Sequence, residues 1–580
     1  MGSYSIELLE KDGFRNARIH HSGRSFTLHS SQPYREAERV VKNFNTGMEW
    51  VLIAGFGFGY IIDYILKNTE LRIIVFEPDN DIMEAAEKFP DTKKIIADPR
   101  VKIIKQDKDL IINFLEENGI KELSFYIHRP YFNLYPDIMS SLEGIISAYL
   151  SKKQINKATL KRFQKVWLRN IIKNSSYYFK LPGINDIRHN FTGKPAVIVG
   201  AGPSLSKNID VLKKYQDRVA IISTDTAYIN LCNYGILADF VVSVDPQDKN
   251  SLYLLYAFNG SSRLVIDSAA SFMSFAKFSQ GNIFIFDSTL PIYKELKKFW
   301  GEKGELLCGG SVSTSAFDLA RYLKCDPIIF IGQDLSYPHK QTHIRGSILE
   351  ELLYYRINRI ETYENYNSKM LLLSDRIEIE GWDGKMVSTD RKFLTFLEWF
   401  KKEIHETSSS VINSTEGGAL MKGAKHLPLI EVLKTLGSSS PLNKEVKAES
   451  KPSNESGFLN LLKELKEELI KVEEFSMKAY YASKGALKKF KNNKDSVKEY
   501  HTMTEFDTFF LKCAHENSLL ARLIEFTMQG SIETISSMTM NGGLTTSTLE
   551  AWCSLYEEAF DGFSYILRLI DKRLKAQAAS

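Results

Sequence analysis

The residues with types and spacing suited to chemistry gather behind one loop, Gly200-Ala201-Gly202-Pro203-Ser204-Leu205. Two glycines let a backbone approach a phosphate closely. The helix expected to begin near Ser204 offers free N–H groups and a positive dipole end to an anion. The loop lacks the Lys-Ser/Thr of a Walker loop and the third glycine of a dinucleotide fingerprint. Alone it fits almost any nucleotide, or a tight strand–helix turn that binds nothing. Further strand-like runs end in carboxylates or hydroxyls: Thr224-Asp225, Asp245-Pro246, Asp267-Ser268, Asp287-Ser288 and Gly332-Gln333-Asp334. Any one Asp reads equally well as a helix cap. Their recurrence is the stronger signal, because in an open parallel sheet ligands bind at the carboxyl ends of the strands.

The elements that must position these residues are short β-branched or aromatic runs separated by helical patterns. They are expected at Ala196–Val199, Val219–Ser223, Phe240–Val244, Leu264–Ile266, Ile283–Phe286 and Ile328–Ile331. That alternation predicts a doubly wound parallel sheet over 185–436. Residues 1–150 read as a separate Rossmann-like α/β unit, with strand patterns at Glu49–Ala54, Leu71–Phe76, Val101–Ile104 and Leu123–Ile127. Its first strand runs into Gly55-Phe56-Gly57-Phe58-Gly59, and Glu77 follows Gly57 by 20 residues, the distance at which an acid meets a ribose. This is similar to the first motif of S-adenosylmethionine-dependent methyltransferases. No methyltransferase catalytic motif follows, which favours glycines kept for packing. Residues 151–184 read as a helical connector and 437–457, with Pro441 and Pro452, as a linker. Beyond it Phe458, Leu462, Leu465, Leu469 and Val472 recur every three or four residues. Residues 458–580 are therefore expected to form an α-helical bundle.

Bulk properties bound the function. The 580 residues call for more than one core. With 43% hydrophobic and 25% charged residues the chain folds rather than staying disordered. A net charge of +4 gives no bulk argument for nucleic acid or an anionic membrane. Five separated cysteines form no CxxC site and no disulfide framework, so no metal site is expected from them and a reducing compartment is. The N-terminal residues carry no apolar signal core, and no apolar run is long enough to span a membrane; a cytoplasmic location is expected.

Four blocks in order carry a resemblance: GAGPSL, STDTAYINLCNYGILADFVVSVDPQ (223–247), CGGSVSTSAFDLARYLKCDPIIFIGQDLSY (308–337) and INSTEGGA (412–419). Together they resemble the motility-associated factor (Maf) flagellin glycosyltransferases. The same domain is similar to that of archaeal 6-hydroxymethylpterin pyrophosphokinases and of certain bacterial sialyltransferases. The resemblance implies transfer of a nonulosonic acid, pseudaminic or legionaminic in type, from a CMP-sugar to Ser or Thr hydroxyls of flagellin. It implies no metal for the chemistry; the helical region would meet flagellin, and self-association stays open.

Such a transfer must hold cytidine and phosphate, stabilise the departing phosphate and take a proton from the acceptor. Gly200, Gly202, Pro203 and Ser204 suit the phosphate, and Thr224, Asp225 and Asp245 the ribose or base. Ser311, Ser313 and Thr314, after Gly309-Gly310, could meet the phosphate or the sugar carboxylate, with Gln333 beside them; a plain helix cap is the competing reading of Ser311. His343 suits a general base near neutral pH, with Asp334 and Glu416 as competitors and His339 ranked lower. Tyr337 could donate to the leaving phosphate, and Thr342 lies in the same stretch. Arg345 and Lys422 are the nearest cations by sequence. The alternatives are an ATP- and magnesium-dependent pyrophosphokinase, with the strand-edge aspartates on the metal, and a flagellin-binding assembly factor without enzymatic activity.

Overall fold

The computed structural model describes the chain apart from residues 1–3, 12, 22–23, 45–47, 121, 258–260, 355–356, 361, 373–375, 437–440, 447, 449–453, 493, 495, 517–518, 524–544 and 579–580. It divides into two units. One comprises Met1–Arg162, Ser483–Ser496 and Gln529–Leu555; the other comprises Phe163–Ala482, Val497–Met528 and Tyr556–Ser580. The helical stretch 458–580 is thus shared between the two.

The first unit opens with an antiparallel sheet that the sequence reading missed, β1 (Tyr4–Lys11), β2 (Phe14–His21) and β3 (Arg24–Thr27). Its signal was Asp12-Gly13, a hairpin dipeptide; Gly13 has φ +78°. A four-stranded parallel sheet follows, formed by β4 (Trp50–Ala54), β5 (Arg72–Glu77), β6 (Val101–Lys105) and β7 (Ser124–Ile127) in the order β6-β5-β4-β7. The chain steps from β4 to β5 to β6 on one side, then places β7 on the other. The crevice for a ligand therefore lies beyond the ends of β4 and β7.

The second unit is built on eight parallel strands: β8 (Ala196–Val199), β9 (Ala220–Thr224), β10 (Phe240–Ser243), β11 (Arg263–Asp267), β12 (Ile283–Phe286), β13 (Ile328–Ile331), β16 (Val411–Asn413) and β17 (Lys425–His426). An antiparallel hairpin, β14 (Arg376–Glu380) with β15 (Met386–Asp390), precedes the last two. The order is β12-β11-β10-β9-β8-β13-β16-β17, so the direction of winding reverses between β8 and β13. Val197, Ile198, Ile329 and Phe330 are fully buried, as a sheet covered on both faces requires. Each such side chain contributes about 1.5–3 kcal/mol by leaving water. The six strands expected from the sequence are present within a residue or two at each end; β14 to β17 were not anticipated.

Helix Pro136–Tyr178 begins before the expected connector boundary, and its portion from Phe163 onward belongs to the central unit. Asn170 Nδ2 donates to the Pro246 and Ala269 carbonyls, and Asn174 Nδ2 to those of Ser268 and Ala270. These two buried amides tie the loops after β10 and β11 to the helix. In helix Glu455–Lys491 the five residues Phe458 to Val472 are all buried, as their spacing predicts. The buried Arg573 of helix Thr546–Ala578 donates to Ser175 Oγ and pairs with Glu455 at 2.8 Å. Much of the expected linker lies outside the described residues. Within it Lys444 Nζ meets the buried Asp239 carboxylate at 2.7 Å, and Leu442 and Val446 pack on the central core.

Candidate active site at the switch point of the central sheet

Three loops meet where the winding reverses. The first is Gly200–Ser204, after β8. Gly200 N donates to the Ile331 carbonyl, Gly202 N to the Gly332 carbonyl and Ser204 N to Asp334 Oδ2. Ser204 Oγ donates to the same carboxylate oxygen at 2.7 Å. A side chain at Gly202 would overlap the Asp334 carboxylate. The glycines therefore permit loop-on-loop packing, and among the described residues only the Ala201 amide of this loop lacks an acceptor. The expectation of an open backbone cradle at Gly200 and Gly202 is corrected accordingly: its amides are spent on the second loop.

The second loop, Gly332–Asp334, follows β13. Burial pushes Asp334 up to about 6 against its Ser204 bonds and the nearby Lys207 charge. Its Oδ1 has no hydrogen-bond partner. Gln333 Nε2 donates to Ser313 Oγ at 3.1 Å, and Ser313 Oγ lies 3.0 Å from Ser311 Oγ. Here the anion-binding geometry is open. Helix Val312–Tyr322 starts at Ser311, whose side chain caps nothing, and the amides of Val312 and Ser313 have no acceptor. Two hydroxyls and two free amides at a positive helix end suit a phosphate or carboxylate. Thr314 is turned inward, its Oγ1 taken up by Gly309 N and the Ser311 carbonyl.

The third loop, Ser414–Gly418, follows β16. Ser414 Oγ and Asn413 Nδ2 are buried without partners. Gly418, at φ +74°, lies against the Asp334 backbone, where any side chain would overlap it. Glu416 sits at φ +55° with Oε1 accepting from Asn208 Nδ2 and Leu429 N. It acts as a latch between elements, so its carboxylate is poorly placed to take a substrate proton. Lys207, which the sequence reading passed over, donates to the Glu416 carbonyl at 2.6 Å. It is the cation that reaches Asp334; its signal was its place one turn beyond Ser204.

The remaining expected residues spread along the rim. His343 is joined to the first loop through Ile344 N, which donates to the Ala201 carbonyl at 2.9 Å. Its Nδ1 has no partner, and burial with the Lys392 charge pushes the imidazole down to about 4. Tyr337 gives its one hydroxyl proton to Asp390 Oδ2, which competes for it with any leaving phosphate. His339, at φ +53°, turns the chain after Tyr337. Asp225 is fully engaged, Oδ2 by Ser243 Oγ and Oδ1 by Thr226, and burial raises it to about 6. Thr224 caps its helix through Oγ1, which also donates to the Val199 carbonyl. Asp267 accepts from Ala269 N, and Asp287 from Tyr293 OH and Lys303 N. Of the aspartate row, Asp245, like Asp334, keeps an oxygen free, with Oδ1 held by Gln247. The row thus holds loops together, and the residues left open to a ligand centre on Ser311, Ser313, Gln333, Asp334 and His343. Arg345 is exposed and lines a cavity of about 600 Å³ with Glu350, Tyr354 and Arg359; Lys422 is exposed.

Comparison with known proteins bears on the fold that carries these loops. Residues 169–340 match the family described as 6-hydroxymethylpterin diphosphokinase MptE-like; the match begins at the helix that carries Asn170. Uncharacterised proteins of Treponema pallidum (strain Nichols) are similar, one 31% identical over 140 residues, covering 23% of this chain and 61% of that protein. Another is 26% identical over 246 residues, covering 40% of this chain and 41% of its own. The chain spans 37% to 66% of the length of the curated relatives it matches. Among solved structures, that of the Maf glycosyltransferase from Magnetospirillum magneticum AMB-1 aligns with a TM-score of 0.53 at 14% identity, over 98% of this chain and 92% of that one. The chain therefore carries an MptE-like domain within the overall fold of a Maf glycosyltransferase.

Proposed function

We propose that the protein is a Maf-type O-glycosyltransferase that moves a nonulosonic acid from its CMP conjugate to Ser or Thr of flagellin in the cytoplasm. The observation that carries this reading is the switch-point crevice. It has hydroxyls and open amides at Ser311–Ser313, buried polar atoms that lack partners, and on its rim the neutral imidazole of His343, tied to the first loop through Ile344. Buried polar groups left unpaired cost about 1–3 kcal/mol each, which a polar sugar would recover. In the reaction the acceptor oxygen attacks the anomeric carbon, the carbon–oxygen bond to phosphate breaks, and CMP leaves with the electron pair. The acceptor proton passes to His343. A group held down to about 4 is a weak base in the free protein. The donor's phosphate and carboxylate raise it on binding, because nearby opposite charge favours imidazolium. Ser204 and Asp334 position the two loops.

The MptE-like match favours a second reading, ATP-dependent diphosphoryl transfer to a pterin. One experiment separates them. The protein is incubated with flagellin and CMP-pseudaminic or CMP-legionaminic acid, and in parallel with ATP, magnesium and a hydroxymethylpterin. Flagellin gaining the mass of the sugar supports the first reading; AMP release without any flagellin mass change overturns it in favour of the second.

A further inference from the structure

We propose that the N-terminal unit holds a divalent transition-metal ion, zinc by preference, on His29, Glu36 and His128. One ligating atom from each lies within 4.8 Å of the other two, and His128 Nε2 is 3.6 Å from Glu36 Oε1. Tetrahedral zinc with bonds of 2.0–2.1 Å separates its ligand atoms by about 3.3 Å, so a small inward movement closes the set. The second, independent observation is unpaired nitrogen. His128 is wholly buried with no hydrogen-bond partner on either ring nitrogen, and His29, 3% exposed, has none on Nδ1. Two buried imidazoles stacked at 4.8 Å, with both Nδ1 atoms unpartnered and His128 Nε2 meeting only Glu36 at 3.6 Å, are costly without an occupant.

The backbone around them is firmly placed. Asn16 grips His29, accepting from its N–H at 2.9 Å and donating to its carbonyl at 2.6 Å. Glu36 Oε2 accepts from Ser30 N at 2.9 Å, which turns Oε1 toward His128. His128 N donates to the Ala54 carbonyl at 2.8 Å. The set lies at the crevice between the ends of β4 and β7, the place where a Rossmann-like sheet would receive a nucleotide. Two imidazoles and one carboxylate leave a fourth position for water, and this donor set discriminates against magnesium.

Phe58 N donates to His29 Nε2 at 3.0 Å, so the His29 proton resides on Nδ1. Coordination through Nε2 takes the lone pair that holds the amide. Coordination through Nδ1 moves the proton onto Nε2. Either route leaves a neutral imidazole and costs Phe58 its acceptor, so metal occupancy is reported by the Gly57–Phe58 loop. This proposal is independent of the reading of the central unit.

The test uses the full chain stripped with EDTA, titrated calorimetrically with zinc chloride and with magnesium chloride, and analysed for bound metal after dialysis. The expected result is about one zinc per chain with a micromolar or lower Kd, no magnesium binding, and faster hydrogen exchange at Phe58 in the zinc form. His128→Ala and Glu36→Gln should each weaken zinc by more than the roughly 10–100-fold that loss of a supporting residue costs. Circular dichroism of the stripped variants checks folding; if His128→Ala fails to fold, Glu36→Gln, at a partly exposed position, decides alone. Substoichiometric zinc in the wild type, or unchanged affinity in the folded variants, would overturn the proposal.

Discussion

The chain carries two glycine loops, each at the winding reversal of a parallel sheet, and they have opposite fates. In Gly55–Gly59 the protein's own side chains occupy the amides. Phe56 N donates to Glu77 Oε2, Gly57 N to Tyr131 OH and Phe58 N to His29 Nε2. Glu77, the residue spaced to meet a ribose, is fully buried, accepts from Tyr131 OH and Asp79 N as well, and is pushed up to about 8 by burial. No amide of that loop is free to hold a phosphate. In Gly200–Ser204 the amides are also spent, but on the neighbouring loop, and the crevice beside them keeps open amides, hydroxyls and unpaired polar atoms. A glycine-rich turn after a strand therefore specifies close backbone packing. Whether it also specifies a ligand depends on what the surrounding loops leave unsatisfied.

That contrast can be broken most severely by removing the base. His343→Ala should lower kcat for sugar transfer by about 10²–10⁴-fold, the range for loss of a general base, with the melting temperature little changed. Glu77→Gln in the other unit should leave transfer rates near wild type. Comparable losses from both would erase the distinction drawn between the loops. Next in size, Ser313→Ala removes a hydroxyl expected to meet a charged donor group. A hydrogen bond to a charge is worth about 1.5–3 kcal/mol, so the donor KM should rise about 10–100-fold in steady-state assays while KM for flagellin holds.

The pH dependence sharpens the comparison further. In the free protein His343 titrates near 4, so kcat/KM should fall only as pH drops toward that value, while kcat, which reports the donor complex, should fall at a higher pH. An acid limb of kcat/KM near the ordinary histidine value of about 6.5 would remove burial and Lys392 as the controlling influences. The smallest effect concerns stability. Glu77 has its folded-state pKa raised to about 8 from a usual 4.5. Its stabilising contribution is therefore complete below the usual value and is lost as pH rises through 8. The wild type should lose thermal stability between about pH 5 and 8, and Glu77→Gln should flatten that slope whatever its own melting temperature.

Much of this was legible in the sequence, and the gaps have physical causes. The strands Ala196–Val199 and Ile328–Ile331 announced themselves because strands buried on both faces are uninterrupted apolar runs. β16 escaped notice because three residues, Val411–Asn413, make too short a run, and β14 and β15 because half-exposed strands such as Arg376–Glu380 alternate with charges. The strand-end aspartates were read as a ligand rim. Their row is real, yet Asp225, Asp267 and Asp287 are consumed by loop hydrogen bonds that spacing cannot foresee. Ser311 and Ser313 stand out as candidates because a Gly-Gly-Ser start to a helix is a local pattern. His29, Glu36 and His128 were invisible for the opposite reason. Their separation in sequence is closed only by the packing of β1–β3 against the parallel sheet.

On the proposed reading the donor nucleotide sits at the winding reversal of the central sheet and not at that of the N-terminal one. A crystal structure of the full chain with CMP bound tests this directly. The expected result is the phosphate on the amides and hydroxyls of Ser311–Ser313, with Gln333, Asp334 and His343 around the open position where the sugar would lie. CMP on the Gly55–Gly59 loop, or density for it anywhere away from the central crevice, would contradict it.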